Sequence, residues 1–270
     1  MAFHMNQKNT LLWLTSEQLE RFTGIRHGFS TRQGGVSPAP WDSLNLAIGR
    51  PDGMDAVQEN YRRFCSELGV NPQNVVMPQQ THSTNIRRVT AADAGKGLWR
   101  NRDYQEVDAL ITNEPGLSLV VFSADCGIIL LYDPVHHAAG AVHAGWRGCA
   151  SGILEKTVYA MKIAFGTDPA QLQAAIGPCI GQCCFETDSD VPEAMRAALG
   201  QDAEPYLQWR DPKFHVDLEG LNRQWLLRAG LLPANIDTCG LCTACHHELF
   251  WSHRKTGEQR GAQVALISLC

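Results

Sequence analysis

Short apolar runs of strand length follow one another through the middle of the chain. Turn signals such as Asp133-Pro134 separate them, and they predict strands at 109–112, 117–122, 128–132 and 138–142. Because these runs are almost continuously apolar, we expect the strands to be covered on both faces. Similar runs predict two later strands, at 172–176 and 263–267.

Apolar residues at helical spacing predict three helices, at 52–68, 152–165 and 218–229. The first ends naturally at Gly69 and carries its apolar residues on one side: Val57, Tyr61, Phe64 and Leu68. The first third of the chain is expected to mix loop and helix. There is no regular strand–helix alternation and no glycine-rich phosphate loop. The pattern therefore predicts an α+β fold of mixed sheets packed in layers with flanking helices, in a single domain covering 1–270.

Composition narrows the functional class. The 270 residues are 44% hydrophobic and carry a formal charge of -5, and no basic face is visible, so nucleic acid is not an expected partner. We find neither a secretion signal nor an apolar run long enough to cross a bilayer, and we expect a cytoplasmic protein. The ten cysteines are then expected to be reduced thiols, most of them buried as small hydrophobic residues.

Polar, reactive residues interrupt the apolar pattern in three places. These are QQTHS at 79–83, SADC at 123–126 and HAGWRG at 143–148. A thiolate and two imidazoles from such strand ends, His82, Cys126 and His143, form a three-ligand set of the kind that holds catalytic zinc and leaves a fourth position to water or substrate. The wide spacing fits equally a buried thiol beside two hydrogen-bonded histidines.

At these residues the chain resembles the laccase-domain family, also called YfiH-type or peptidoglycan editing factor proteins. The matching stretches run in order through nearly the whole sequence: HGFSTRQGGVS (27–37), LNLAIG (44–49), QQTHS (79–83), VDALIT (107–112), SADCGIILLYDP (123–134), HAGWRG (143–148), IGPCIG (176–181), CFE (184–186), CGLCT (239–243) and FWSHR (250–254). So many ordered matches make the resemblance highly specific.

The resemblance implies a YfiH-like, cysteine-hydrolase-like fold and a zinc-dependent enzyme of purine nucleoside metabolism. Family members are described as phosphorolysing adenosine, inosine, guanosine and methylthioadenosine, and as deaminating adenosine. Their zinc ligands correspond to His82, Cys126 and His143, and the implied small-molecule partners are a nucleoside and phosphate. Bacterial members are also linked to peptidoglycan fidelity, so an alternative is a hydrolase that edits a nucleotide-linked muropeptide precursor.

Copper is the less favoured metal. The family's laccase label suggests phenol oxidation, but multicopper oxidases need His-x-His pairs, and the sequence contains none. A zinc ion instead suits the implied reactions, because it can lower the pKa of a bound water to about 7. A non-catalytic protein with purely structural zinc is a further alternative, which would normally need four protein ligands.

Other residues of the matching stretches are candidates for substrate binding. Arg147 and the turn Gly145–Gly148, placed before the predicted helix, are expected to form a phosphate site, although a surface arginine in a loop fits as well. Thr31 and Arg32 either line the site or belong to a tight glycine turn. Asp125 either orients a metal-bound histidine, acts as a base or caps a strand end.

The cysteines leave further alternatives open. Cys126 is either a metal ligand or a nucleophile activated by an imidazole. Cys239, Cys242 and Cys245 have metal-like spacing but lack a second ligand pair, so we expect packing there, as for a second cluster at Cys179, Cys183 and Cys184.

The chain departs from the family pattern near its end. His253 precedes Arg254 where relatives have an aromatic residue, and the Arg260-Gly261 pair has altered spacing, so neither arginine is assigned to the site. The sequence leaves the oligomeric state open between monomer and homodimer.

Overall fold

The computed structural model describes residues 2–270. Its strands and helices lie in chain order as follows: β1 (Phe3–Lys8), β2 (Leu11–Ser16), α1 (Glu17–Glu20), β3 (Ile25–Ser30), α2 (Met54–Leu68), β4 (Val75–Val76), β5 (Ile86–Arg88), β6 (Ala109–Thr112), β7 (Ser118–Ser123), β8 (Gly127–Asp133), β9 (Ala138–Ala144), α3 (Trp146–Ala150), α4 (Ile153–Phe165), β10 (Gln173–Ile176), β11 (Glu186–Thr187), α5 (Asp190–Leu199), β12 (Leu207–Arg210), β13 (Lys213–Val216), α6 (Leu218–Arg228), β14 (Ile236–Thr238), α7 (His253–Thr256) and β15 (Gln263–Leu269).

Two six-stranded mixed sheets form the centre of the fold. Sheet A has the strand order β1-β2-β3-β15-β7-β4, and sheet B has the order β14-β10-β8-β9-β6-β5. Most neighbours are antiparallel, whereas β4–β7, β5–β6 and β10–β14 are parallel. A small third sheet has the order β11-β13-β12. The predicted α+β class with packed mixed sheets is confirmed.

The alternation of side chains along the strands builds four layers. In β7, Leu119 and Val121 face the core shared by the two sheets, whereas Val120 packs under α2 on the other side. In β8, Leu130 belongs to the shared core and Leu131 packs against the helices outside sheet B. Both faces of these strands are therefore buried, which is why their sequence is continuously apolar and why they were predicted as strands covered on both sides.

The three predicted helices are present with small shifts at their ends. Helix α2 begins at Met54 rather than residue 52, because the Asp52 carboxylate accepts hydrogen bonds from Ser37 Oγ (2.6 Å) and Asn45 Nδ2 (2.7 Å) in the preceding loop. It ends at Gly69, whose φ of 68° is left-handed. None of the helices in residues 2–270 is long and apolar enough to cross a membrane.

The expectation that the first third is a mixture of loop and helix is wrong. It contains β1, β2 and β3, which extend sheet A to its edge. Strand β1 pairs only with β2, and most of its side chains are exposed. An edge strand of this kind buries little apolar surface and leaves a weak pattern in the sequence.

His27 gives this sheet a dependence on pH. In β3 its Nε2 accepts a hydrogen bond from the Ser16 backbone N–H (2.9 Å), and burial lowers the pKa of the imidazole to about 4, even though the charges of Glu20 and Asp237 oppose this shift. As the pH falls, His27 is therefore protonated in the unfolded chain before it is protonated in the folded protein. The contribution of the neutral His27 to the free energy of unfolding is complete above about pH 6.5 and is lost as the pH falls to about 4.

We therefore expect His27 to remove about 2 kcal/mol of the free energy of unfolding between about pH 7.5 and about pH 5. Urea unfolding of chelator-treated protein measures the loss. In His27→Gln, whose amide oxygen can accept the same N–H, the loss should be smaller by about that amount. An equal pH dependence in both proteins would contradict this role.

Candidate metal centre

His82, Cys126 and His143 come together at one edge of the two sheets. Their ligand atoms all lie within 4.8 Å of one another, and Cys126 Sγ is 3.8 Å from His82 Nε2. The two imidazole rings are 5.0 Å apart between centroids. The expected convergence of one thiol and two imidazoles is thus observed.

Strand pairing explains how distant positions meet. His143 lies near the end of β9, paired with Ile128 of β8, and Cys126 occupies the tight turn just before β8. His82 lies in the loop between β4 and β5. The neighbouring Gln80 fixes this loop to β7, because its side-chain amide exchanges two hydrogen bonds with the Phe122 backbone (2.7 and 2.9 Å).

Asp108 is the residue that joins these parts, and it was missed in the sequence. The fully buried carboxylate accepts the Nδ1 proton of His143 (2.8 Å). It also accepts four hydrogen bonds from the loop that carries His82: the N–H groups of Thr81, His82 and Ser83 and the Ser83 hydroxyl. Asp108 therefore orients one ligand and shapes the loop of another, leaving Nε2 of His143 for a metal.

Two residues of the centre have a left-handed backbone. His82 has a φ of 63° and Asp125 a φ of 90°, a conformation that L-residues other than glycine adopt rarely. The backbone of His82 is held by a hydrogen bond from its N–H to Asp108. The backbone of Asp125 is held through its carboxylate, which accepts hydrogen bonds from the Thr243 hydroxyl (2.6 Å) and the Arg254 N–H (2.7 Å). Strain of this sort is typical of functional sites.

The pKa values of Cys126 and His143 are shifted in opposite directions. Burial would raise the pKa of the Cys126 thiol, but hydrogen bonds and charge from His143 and His82 lower it to about 6. Burial would lower the pKa of His143, but Asp108 and Cys126 raise it to about 9. Without a metal the pair is a thiolate beside an imidazolium, so an incoming cation meets an ionised sulfur ligand and displaces the proton on Nε2 of His143.

The centre lies where two cavities of one cleft meet. The cavities have volumes of about 380 and about 290 Å³, and both are lined by His82, Cys126 and Arg260. The larger cavity has an apolar wall made of Trp146, Ile180, Phe185 and Leu218. A small organic molecule can therefore reach the open side of the three ligands.

Guanidinium groups give the cleft its positive charge. Arg147 lines the larger cavity, stacked on Trp146 (4.2 Å to the ring centroid). Arg254 lines the same cavity, and Arg50 lines the smaller one. Arg260 lines both, burial lowers its pKa, and its buried Nε has no hydrogen-bond partner within residues 2–270. We did not expect Arg254 and Arg260 in the site, because His253 before Arg254 and the spacing around Arg260 depart from the family pattern.

Of the other candidate residues, Asp125 lines the cleft and Thr31 and Arg32 do not. Asp125 lines the cleft, but its carboxylate binds Thr243 and Arg254 rather than a metal-ligand histidine. Thr31 is fully buried and donates to the Leu12 carbonyl (2.8 Å). Arg32 stacks on Trp251 (4.1 Å) and donates to backbone carbonyls. Thr31 and Arg32 are not among the residues that line either cavity of the cleft.

The segment Gly145–Gly148 is not a free turn before a long helix. Residues Trp146–Ala150 form the short helix α3, and Gly148 is buried within it. Gly145 instead lies against the ligands: a Cβ at this position would be 2.7 Å from Cys126 Sγ and 3.0 Å from His82 Cδ2.

We therefore expect Gly145→Ala to weaken metal binding by about tenfold while leaving the fold intact, because the methyl group displaces ligand atoms. Competition with a fluorescent chelator measures the affinity. Gly53→Ala is the matched control, since a Cβ there has no neighbour within 4 Å. Equal affinities in the two variants would contradict the steric argument.

An α+β protein with two packed sheets and an open His–Cys–His group in a charged cleft has the features of a metalloenzyme. The family model described as "Multi-copper polyphenol oxidoreductase laccase" matches residues 26–270. The chain belongs to this family.

The relatives include proteins with a named activity. A Bacteroides thetaiotaomicron protein named "Purine nucleoside phosphorylase" is 35% identical over 257 residues, 94% of each chain. Bacillus subtilis "Purine nucleoside phosphorylase YlmD" is 33% identical over 274 residues, 99% of this chain and 97% of the relative. Among solved structures, Bacillus licheniformis hypothetical protein YfiH is 32% identical, with a TM-score of 0.91 over 99% of each chain. YlmD from Geobacillus stearothermophilus is also 32% identical, with a TM-score of 0.90 over 98% of each chain.

Proposed function

We propose that this protein is a cytoplasmic, single-domain, zinc-dependent purine nucleoside phosphorylase that also deaminates adenosine. The observation that carries the proposal is the open three-ligand group His82–Cys126–His143 at the meeting point of two arginine-lined cavities. The named activity of the full-length relatives supports the same reaction class. Adenosine, inosine, guanosine and methylthioadenosine are the proposed substrates.

The donor set fits zinc. Bonds of about 2.3 Å to sulfur and about 2.1 Å to nitrogen at a tetrahedral angle separate the two ligand atoms by about 3.6 Å, close to the 3.8 Å between Cys126 Sγ and His82 Nε2. Asp108 on Nδ1 of His143 is the outer partner that metal-binding histidines usually have. No fourth His, Cys, Asp or Glu in residues 2–270 joins this group, as a catalytic rather than a structural ion requires.

Different side chains of the cleft bind different parts of the substrates. Arg147 and Arg260 bind the phosphate, because a guanidinium matches phosphate oxygens in charge and geometry. The apolar wall around Phe185 and Leu218 packs against the purine. His82, Cys126 and His143 would hold a zinc ion, whose Lewis acidity would polarise a phosphate oxygen or a water molecule. Attack of phosphate on the nucleoside releases the free base and forms ribose 1-phosphate. Attack of water on adenosine forms inosine and releases ammonia.

A second candidate is a hydrolase that uses Cys126 as its nucleophile. The observation that favours it is the lowered pKa of this thiol beside His143. Such an enzyme would keep its activity after chelation and lose it on alkylation of Cys126, whereas a zinc enzyme would be inhibited by the chelator.

Product analysis tests the proposal. Purified, zinc-loaded protein is incubated with adenosine, with and without phosphate, and adenine, inosine and hypoxanthine are separated from the nucleoside. We expect adenine and hypoxanthine only with phosphate, in a summed amount equal to that of ribose 1-phosphate, and inosine with or without phosphate. If neither product forms, the proposal fails, and a nucleotide-linked muropeptide precursor becomes the substrate to test.

We expect Arg147→Ala to raise the KM for phosphate by about tenfold, because one charge-assisted hydrogen bond is lost. Zinc content should not change, since Arg147 contacts no ligand. Arg88→Ala is the matched control, because Arg88 also stacks on an aromatic ring (Phe165, 5.1 Å) but lines neither cavity of the cleft. An unchanged phosphate KM in Arg147→Ala would remove Arg147 from the phosphate site.

A further inference from the structure

Four cysteines from two distant loops meet outside the His–Cys–His centre. The sulfurs of Cys183, Cys184, Cys242 and Cys245 all lie within 4.8 Å of one another. Cys245 Sγ is 3.4 Å from both Cys183 Sγ and Cys184 Sγ. The pair Cys242/Cys245 lacks a second ligand pair along the sequence, and the fold supplies it as Cys183-Cys184.

Packing does not explain this cluster. Cys183 and Cys245 are exposed, so their thiols do not serve as small buried hydrophobic groups. Cys179 and Cys239, by contrast, are buried nearby, and burial raises the pKa of each thiol. These two are the structural thiols of the region, whereas the exposed Cys183 and Cys245 need a different reason.

The backbone around the cluster has the geometry of a thiolate site. The segment Cys242–Cys245 has C-x2-C spacing. Gly181 leaves the necessary space, because a Cβ there would be 3.1 Å from Cys242 Cβ and 3.4 Å from Cys183 Sγ.

We propose that Cys183, Cys184, Cys242 and Cys245 bind one structural zinc ion as a closed tetrathiolate site. Zinc–sulfur bonds of about 2.3 Å place tetrahedral sulfurs about 3.8 Å apart, which is close to the 3.4 Å of two of the pairs and inside the 4.8 Å within which all four sulfurs lie. Sulfurs that hold a four-iron cluster must span the cluster and lie further apart. The set therefore suits a single ion, and with four protein ligands it leaves no position for substrate.

The site joins two loops that lack regular secondary structure. Residues 177–185 and 239–250 contain no helix and no strand, and a single β-bridge, Cys179 to Cys242, links them. Thr243, between the two C-x2-C sulfurs, donates to Asp125 beside the ligand Cys126 (2.6 Å). Ile180 and Phe185, which flank the Cys183-Cys184 pair, line the larger cavity. The ion would thus fix one wall of the cleft.

Metal analysis of the full-length protein, purified with zinc and a reductant, tests the site. We expect about two zinc ions per chain in the wild type and about one in either Cys242→Ser or His82→Ala. Cys270→Ser, which removes an exposed thiol outside both groups, should keep about two. Because each variant removes a different ion, this inference and the proposed zinc of the His–Cys–His centre fail independently.

A cobalt spectrum decides the question even if Cys242→Ser fails to fold. In His82→Ala protein, Co²⁺ should bind with the sulfur-to-metal charge-transfer absorption of four thiolates. Weak absorption typical of fewer thiolates would overturn the proposal. So would iron in place of zinc, an unchanged zinc content in folded Cys242→Ser, or a disulfide among these cysteines that persists in reductant-treated wild type.

Discussion

Replacing His82 with alanine is expected to remove one zinc ion per chain and to lower kcat/KM for phosphorolysis and deamination by about 1,000-fold or more. Only Cys126 and His143 would remain as protein ligands, and two ligands hold zinc far less tightly than three. The loop should keep its shape, because Asp108 binds the backbone N–H groups of residues 81–83 rather than the imidazole.

The matched control for this variant is His4→Ala. His4 lies on the edge strand β1, its side chain is 56% exposed, and it is remote from the ligands, so zinc content and activity should stay at wild-type values. Circular dichroism and the thermal midpoint distinguish metal loss from unfolding. A folded His82→Ala protein that keeps its zinc and its activity within about twofold would refute both the metal centre and its catalytic role.

Asp108→Asn should lower kcat/KM by about 100-fold. The change keeps the size of the side chain but removes the charge that stabilises His143, and an amide offers one acceptor oxygen where the carboxylate offers two. Five hydrogen bonds converge on this carboxylate, so the amide must leave at least one buried donor unpaired. We expect weaker zinc binding and a misplaced His82 loop together.

Ser83→Ala separates these effects. It removes a hydroxyl that contacts Asp108 (2.7 Å) and the Glu106 carbonyl (2.8 Å) and accepts from the Asn85 N–H (3.2 Å). The His143 contact and the backbone bonds to Asp108 stay in place, so the loss should not exceed about tenfold. Steady-state kinetics and a zinc competition assay measure both variants. If Asp108→Asn retained wild-type zinc affinity and kcat/KM, the carboxylate would have no part in positioning the ligands.

The central strands were predictable because the burial of a strand in the fold determines which of its positions are apolar. Strands β6 to β9 are buried on both faces, so almost every position is apolar. The edge strand β1 was missed because edge pairing depends on backbone hydrogen bonds, which any side chain can accompany. The start of α2 was misplaced by two residues, since Asp52 serves a long-range contact rather than the helix.

The residues of the site differ in how much of their role can be predicted locally. His82 and Cys126 lie 44 positions apart, so spacing alone indicated little, and the three ligands followed from the family resemblance. Asp108 lies inside a matching stretch, yet its partners come from two remote segments. Arg260 reaches the cleft through an irregular loop, for which periodicity gives no direction.

The Asp108 carboxylate also affects how the centre takes up a metal ion. Because it holds the His82 loop and the His143 ring in place through five hydrogen bonds within the protein itself, the centre is preorganised before any ion arrives. Metal uptake then requires no ordering of the chain, and the conformational entropy has already been lost on folding. Loading should accordingly be fast and should leave the amide exchange rates of the loop almost unchanged.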